Sequence, residues 1–300
     1  MAHHTDNTDS PRGLAFAVSA YLLWGFLPVY MKQLTSIGAL EILAHRVIWS
    51  VPVAAAVLIV LGRTADIAAA MRNPRMLGMA FVTAAIVSVN WTIYVWAITS
   101  GNAIDAALGY YINPLFSIFL GAVLLRERPN RAQIVAIGLA AAAVVVLTVA
   151  YGSLPWIAVG LFLSWGFYAF FKKWLPIGPN QGFLLEVLIL LPFALGYLVW
   201  METQGVSRFI HDGAGTTLLL LGLGPATAVP LILYANGAKL LRLSTIGILQ
   251  YIAPTMIFLT AVFIFDEPFD TARAIAFPLI WLALVVYSTA MLRGIRRSGR

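Results

Sequence analysis

Residues 110–130 read YYINPLFSIFLGAVLLRERPN, and residues 250–270 read QYIAPTMIFLTAVFIFDEPFD. Tyr111-Ile112-x-Pro114 in the first matches Tyr251-Ile252-x-Pro254 in the second, a shift of 140 residues. The same shift relates Glu127 to Glu267, Pro52 to Pro192 and Tyr94 to Tyr234, and a shift of 141 relates Trp24-Gly25-Phe26 to Trp165-Gly166-Phe167. Apolar segments resemble one another by chance, so each match alone is weak. Their common register is strong. It predicts a duplicated unit, with one copy over residues 13–150 and the other over residues 151–292.

The unit is a set of membrane helices. Of the 300 residues, 61% are hydrophobic and 10% charged, and the mean hydropathy is +0.89. Soluble domains carry about 25% charged residues. A helix needs about 20 apolar residues to cross the hydrocarbon layer. Ten segments meet that length, near 13–31, 39–61, 76–99, 103–125, 132–150, 155–171, 182–201, 216–238, 244–265 and 272–292. The expected fold class is therefore an all-α integral membrane protein of ten helices, five per copy. Residues 1–12 read as a disordered tail and 293–300 as a basic one. Arg12 before a long apolar run imitates a signal peptide, but no small-residue cleavage site follows, so a retained first span is expected.

Basic residues set the orientation. With the N-terminus in the cytoplasm, fifteen of the 19 lysines and arginines fall in cytoplasmic segments, and Lys32, Arg208 and Arg273 fall outside. The positive-inside rule then predicts both termini cytoplasmic. Five is odd, so the second copy inserts upside down. That inversion explains why Glu127 is flanked by Arg126 and Arg128, whereas Glu267 lies beside Asp266 and Asp270. Inverted repeats that meet around a midplane site are an architecture of secondary transporters.

Several residues inside the spans are candidates for the pathway. Arg46 and Glu186 are equivalent at a shift of 140 and lie deep in their spans. A charge there faces the bundle interior or water. They can pair across the cavity as structure, or Arg46 can hold an anionic group, or Glu186 can carry a proton. His45 is a second candidate for proton coupling, although it points about 100° away from Arg46. Trp24, Asn90, Tyr94, Tyr110, Asn113, Trp165, Tyr168, Tyr234, Asn236, Gln250 and Tyr251 complete the substrate and cavity set. Amides are costly in lipid and should face protein or a cavity. Pro114 and Pro254 each remove a backbone hydrogen bond and act as hinges or as static kinks. The small-residue stretch 134–150 should pack against neighbours or a second subunit, away from substrate, which leaves a homodimer open.

Other classes have less to build on. There is no cysteine, and the histidines form no close pair within a span, so neither a metal site nor a cofactor is expected. No phosphate-binding loop of the form G-x-x-x-x-G-K-[ST] occurs, so energy must come from an ion or solute gradient. The net charge of +7 is explained by topology, and no nucleic-acid partner is expected. No nucleophile-base pair marks a catalytic site. A non-transporting scaffold or signalling protein is the main rival, an intramembrane enzyme the lesser one, and a lipid scrambler lies within the transporter class.

The phrases AYLLWGFLPVYMK, EILAHRVIWS, GYYINPLFSIFLGAVLLRER, GSLPWIAVGLFLSWGFYAFFKK and LQYIAPTMIFLTAVFIFDEPF resemble those of RarD-type permeases. These form part of the EamA family in the drug/metabolite transporter superfamily. The resemblance runs in order from about residue 13 to residue 287. It implies two inverted EamA repeats in a bacterial inner membrane, and transport of small metabolites or drugs through a central cavity. Family members are often labelled for chloramphenicol sensitivity or resistance, a label that does not define a physiological substrate. The resemblance assigns no chemical step to Glu41, His45, Arg46 or Glu186.

Overall fold

The computed structural model describes residues 9–298, without the side chains of residues 243, 244 and 293–298. Within them are twelve helices: α1 (Pro11–Lys32), α2 (Ala39–Val60), α3 (Ala65–Met71), α4 (Pro74–Thr99), α5 (Ala103–Leu124), α6 (Arg131–Tyr151), α7 (Trp156–Trp174), α8 (Pro179–Thr203), α9 (Gly213–Ala238), α10 (Leu243–Leu249), α11 (Ile252–Phe263) and α12 (Thr271–Ser298). Nine stretches of the described residues are long and apolar enough to cross a membrane. Helix α7 is not among them, although it packs along both α4 and α5. Its sequence explains this: Ser164, Trp165, Tyr168 and Lys172 make one face polar. This is an all-α integral membrane protein.

The tails differ from expectation where they can be followed. Helix α1 begins at Pro11, inside the expected tail, and Asp9 is pinned to Arg242. Helix α12 continues to Ser298, so most of the expected basic tail is helical. Residues 1–8 and 299–300 lie outside the described residues. Helix α3 is a short surface helix between two spans, and Asn73 caps the next one by accepting from the amides of Arg75 and Met76 at 3.1 and 3.2 Å.

Helices pair across the two halves of the chain. Helix α1 packs on α9 and α11, and α7 packs on α4 and α5; α2 lies against α8, α5 against α11, and α6 against α12. The last pair shares its apolar core with α5 and α11. Ala136, Ala140, Ala143 and Leu147 recur on one buried stripe of α6 and meet Ala276, Ile280 and Ala283 of α12. The opposite face of α6 exposes Ile134, Val135, Val145 and Val149.

Two features lie 140 residues apart with matching geometry. Arg126 and Asp266 both take left-handed φ, 56° and 51°. The following amides, of Glu127 and Glu267, then turn back to the carbonyls of Gly121 and Ala261 at 3.1 and 3.0 Å. The left-handed residue ends the helix and lets a later amide satisfy a terminal carbonyl. The prolines behave differently. Helix α5 runs unbroken through Pro114, whereas the expected span 244–265 is broken at Gln250–Tyr251, four to three residues before Pro254. Proline has no amide to donate to the carbonyl four residues back, so a break there is the natural relief.

Candidate functional site

A cavity of about 670 Å³ lies between the two halves of the chain. Its walls come from α1, α2, α4, α5, α7, α8, α9 and the α10–α11 break. One end of the bundle carries its mouth, where Lys173 and Lys239 are exposed and Lys172 half-buried. The other end is closed.

That closure has a polar and an apolar layer. The carboxylate of Glu267, 7% exposed, accepts from the amides of Ala103 and Ile104 at 2.8 and 2.9 Å. It thereby satisfies two of the free donors that begin α5, at the positive end of that helix. Glu41 accepts from the Arg208 amide at 2.8 Å, and Asp105 pairs with Arg273 at 3.1 Å. Beneath them Met31, Leu34, Ile37, Ile98, Ile104 and Leu108 form one fully or almost fully buried layer. The equivalent of Glu267 at the open end, Glu127, is exposed.

Arg46 sits at the blind end, seven residues and about 10 Å into α2. It is 4% exposed. Its Nε donates to Thr227 Oγ1 at 2.8 Å, and its guanidinium carbon lies 4.4 Å from the centre of the Trp91 ring. Gly224, one turn before Thr227, permits this. A Cβ at Gly224 would collide with the Trp49 carbonyl, so only glycine lets α9 approach α2 closely enough. Arg46 Nη1 and the Tyr94 hydroxyl are buried and have no hydrogen-bond partner among the described residues.

Aromatic side chains form two walls. Tyr94, Tyr110, Trp165 and Tyr168 stack edge-on or tilted in sequence, with centroids 5.7, 6.5 and 5.4 Å apart. Opposite them Tyr21, Trp24 and Tyr234 form a triangle of 5.6, 5.8 and 5.7 Å. Asn90 donates to the Leu161 carbonyl and Ser164 at 3.2 and 2.9 Å and lies 3.4 Å from the Tyr110 hydroxyl. Asn113, Gln250 and Pro254 also line the cavity.

Other candidates lie elsewhere. His45 faces away from the cavity: its Nδ1 accepts from Trp49 at 3.1 Å and its ring packs 4.8 Å from Phe209. Asn236 bonds its own helix at the Ile232 carbonyl, 2.8 Å away. Tyr251 packs into the larger apolar core, and Pro114 is buried within α5. Glu186 sits just behind the wall, 1% exposed on its side chain, with Lys172 Nζ at 2.6 Å and the Tyr168 hydroxyl at 3.2 Å.

The ion pair contemplated between Arg46 and Glu186 does not form among the described residues. Glu186 pairs with Lys172 of α7, and Arg46 with Thr227 of α9. Equivalent depth in two repeats places two residues at comparable levels but does not aim them at each other. Lys172 was missed because a lysine at a span's end reads as a topological charge. The signal that finds it is spacing: Trp165, Tyr168 and Lys172 follow at three and four residues, one helical face. Tyr21, three residues before Trp24, is found the same way.

Comparison with known proteins fits this geometry. The profile of the EamA-like transporter family matches residues 11–149. Protein RarD of Streptomyces exfoliatus is 42% identical, the alignment covering 95% of this chain and 91% of that protein. An uncharacterized transporter of Vibrio cholerae is 41% identical over 94% of each chain. A crystal structure 19% identical in sequence superposes with a TM-score of 0.60, over 94% of this chain and 97% of the other, which speaks to the fold alone. With this coverage and identity, the chain belongs to the EamA family, as a RarD-type membrane transporter.

Proposed function

We propose that the protein is an alternating-access secondary transporter of a small organic solute in the bacterial inner membrane, working as an exporter. It has ten spans in two inverted repeats, residues 13–150 and 151–292, with both termini cytoplasmic. The observation that carries this is a cavity between the halves, open at the lysine-bearing end and sealed at the other by Glu267, Glu41 and the apolar layer. Positive-inside bias makes the lysine-bearing end cytoplasmic, so the cavity loads from inside the cell.

The symmetric helix pairing and the matched turns at Arg126 and Asp266 support exchange between two such states. Glu186 is the residue to which we assign coupling. It is buried behind Lys172, which faces the cavity, so whatever draws Lys172 away leaves a carboxylate that must bind a proton or pay for its burial. The test is purified protein in liposomes, screened with labelled metabolites with and without an imposed pH gradient. Glu186→Gln is expected to reach the membrane and abolish flux; normal flux by that variant removes Glu186 from the mechanism.

A further inference from the structure

The transport reading leaves open what the cavity holds, and its blind end is specific on this point. Arg46 is a buried cation whose protein contacts are a neutral hydroxyl and an indole face. A buried charge without a counter-charge is costly. The carboxylate at a comparable depth, Glu186, is taken by Lys172 and lies behind the wall. Among the described lining residues the charged groups are Arg46, Lys172, Lys173 and Lys239, with no Asp or Glu.

We propose that the ligand supplies the missing charge: the site takes an organic monoanion, a carboxylate on a flat apolar body. This inference rests on the transport reading of the cavity. The carboxylate meets Arg46 Nη1 and the Tyr94 hydroxyl, two buried donors at the blind end that lack hydrogen-bond partners among the described residues. A guanidinium presents a planar fork that fits a carboxylate, and here Thr227 and Trp91 already fix its plane. The body lies between the two aromatic walls, where flat rings pack well. A cavity of about 670 Å³ fits a small organic molecule. A cationic ligand would also enjoy aromatic faces, but it would meet only positive charge. Lys173 and Lys239 at the mouth and Lys172 below them draw an anion inward.

The test is equilibrium binding to the purified full chain in detergent, read by tryptophan fluorescence and calorimetry. Probes are benzoate, phenylacetate and 3-phenylpropionate, against benzamide and benzylammonium. At least one carboxylate should saturate, at least tenfold tighter than benzamide, with benzylammonium weakest. Arg46→Gln should weaken that carboxylate at least tenfold, with Arg46→Lys recovering part and Tyr94→Phe losing severalfold. These two keep the inference testable should Arg46→Gln fail to fold. Equal binding of acid and amide, preference for the ammonium, no saturable carboxylate binding up to millimolar concentration, or unchanged binding in both Arg46→Lys and Tyr94→Phe overturns it. Carboxylate binding without flux in liposomes sinks the transport reading alone; flux of other solutes without carboxylate binding sinks this one alone.

Discussion

Lys172 and Glu186 place opposite charges 2.6 Å apart where their side chains are 20% and 1% exposed. Removing one partner of a buried pair costs about 3–5 kcal/mol, because the other is left uncompensated, whereas replacing both with apolar residues is often neutral. Lys172→Met is therefore expected to lower the unfolding temperature in detergent markedly, and Lys172→Met with Glu186→Met to restore most of it. A double variant as unstable as the single would show that the pair is not what holds these helices. The sequence made Arg46 and Glu186 visible as candidates, since charges are rare within apolar spans. It could not make their partners visible. Side-chain pairing across helices depends on rotation and crossing, and periodicity along one helix carries neither. Trp165 and Tyr168 were legible as cavity candidates, and helical spacing puts Lys172 on the same face of the same helix.

Among the elements, the start of α5 and the close approach of α9 to α2 govern the cavity. With the far end shut, Glu267 holds the Ala103 and Ile104 amides. A capping side chain is worth about 1 kcal/mol, about fivefold in a two-state equilibrium. Glu267→Ala should raise labelling of a cysteine placed at the buried Leu34 by roughly that factor; unchanged labelling would remove Glu267 from the closure. Gly224→Ala should push α9 from α2 and separate Thr227 from Arg46. We expect lower thermal stability by about 1–3 kcal/mol from overpacking, together with weaker benzoate binding. The N-terminal tie is separate. Arg242 holds the Asp9 carboxyl down to about 2, from an ordinary value of 3.8. A depressed carboxyl stabilises above its unfolded value and loses that contribution as pH falls toward its folded one. The tie thus persists at neutral pH and loosens only between about 3.8 and about 2, which amide exchange over residues 9–14 can follow. The equivalence of Glu127 and Glu267 was legible at a shift of 140. Which of them is engaged was not, because two repeats of like sequence do not say which end of the bundle is closed.

At the scale of the whole molecule, apolarity reveals spans that face lipid better than spans that face a cavity. Helix α7 falls outside the nine apolar stretches because it contributes Trp165, Tyr168 and Lys172 to the cavity. Counting only those nine stretches would give nine spans and, from a cytoplasmic N-terminus, an external C-terminus. Counting by charge gives ten, since the basic residues alternate consistently only if α7 crosses. The two counts disagree about every loop after Tyr151. The chain contains no cysteine, so single cysteines replacing Arg128 and Asp270 can be labelled without background. With ten spans, a membrane-impermeant maleimide added to spheroplasts should modify the cysteine at 270 and spare that at 128 until the membrane is permeabilised. Both residues lie at the ends of equivalent helices, so their opposite accessibility requires the second five-helix unit to be inverted. Protection of both, or labelling of both, would place them on one side of the bilayer, and two halves set in the same sense have no symmetry by which to exchange an inward-open cavity for an outward-open one.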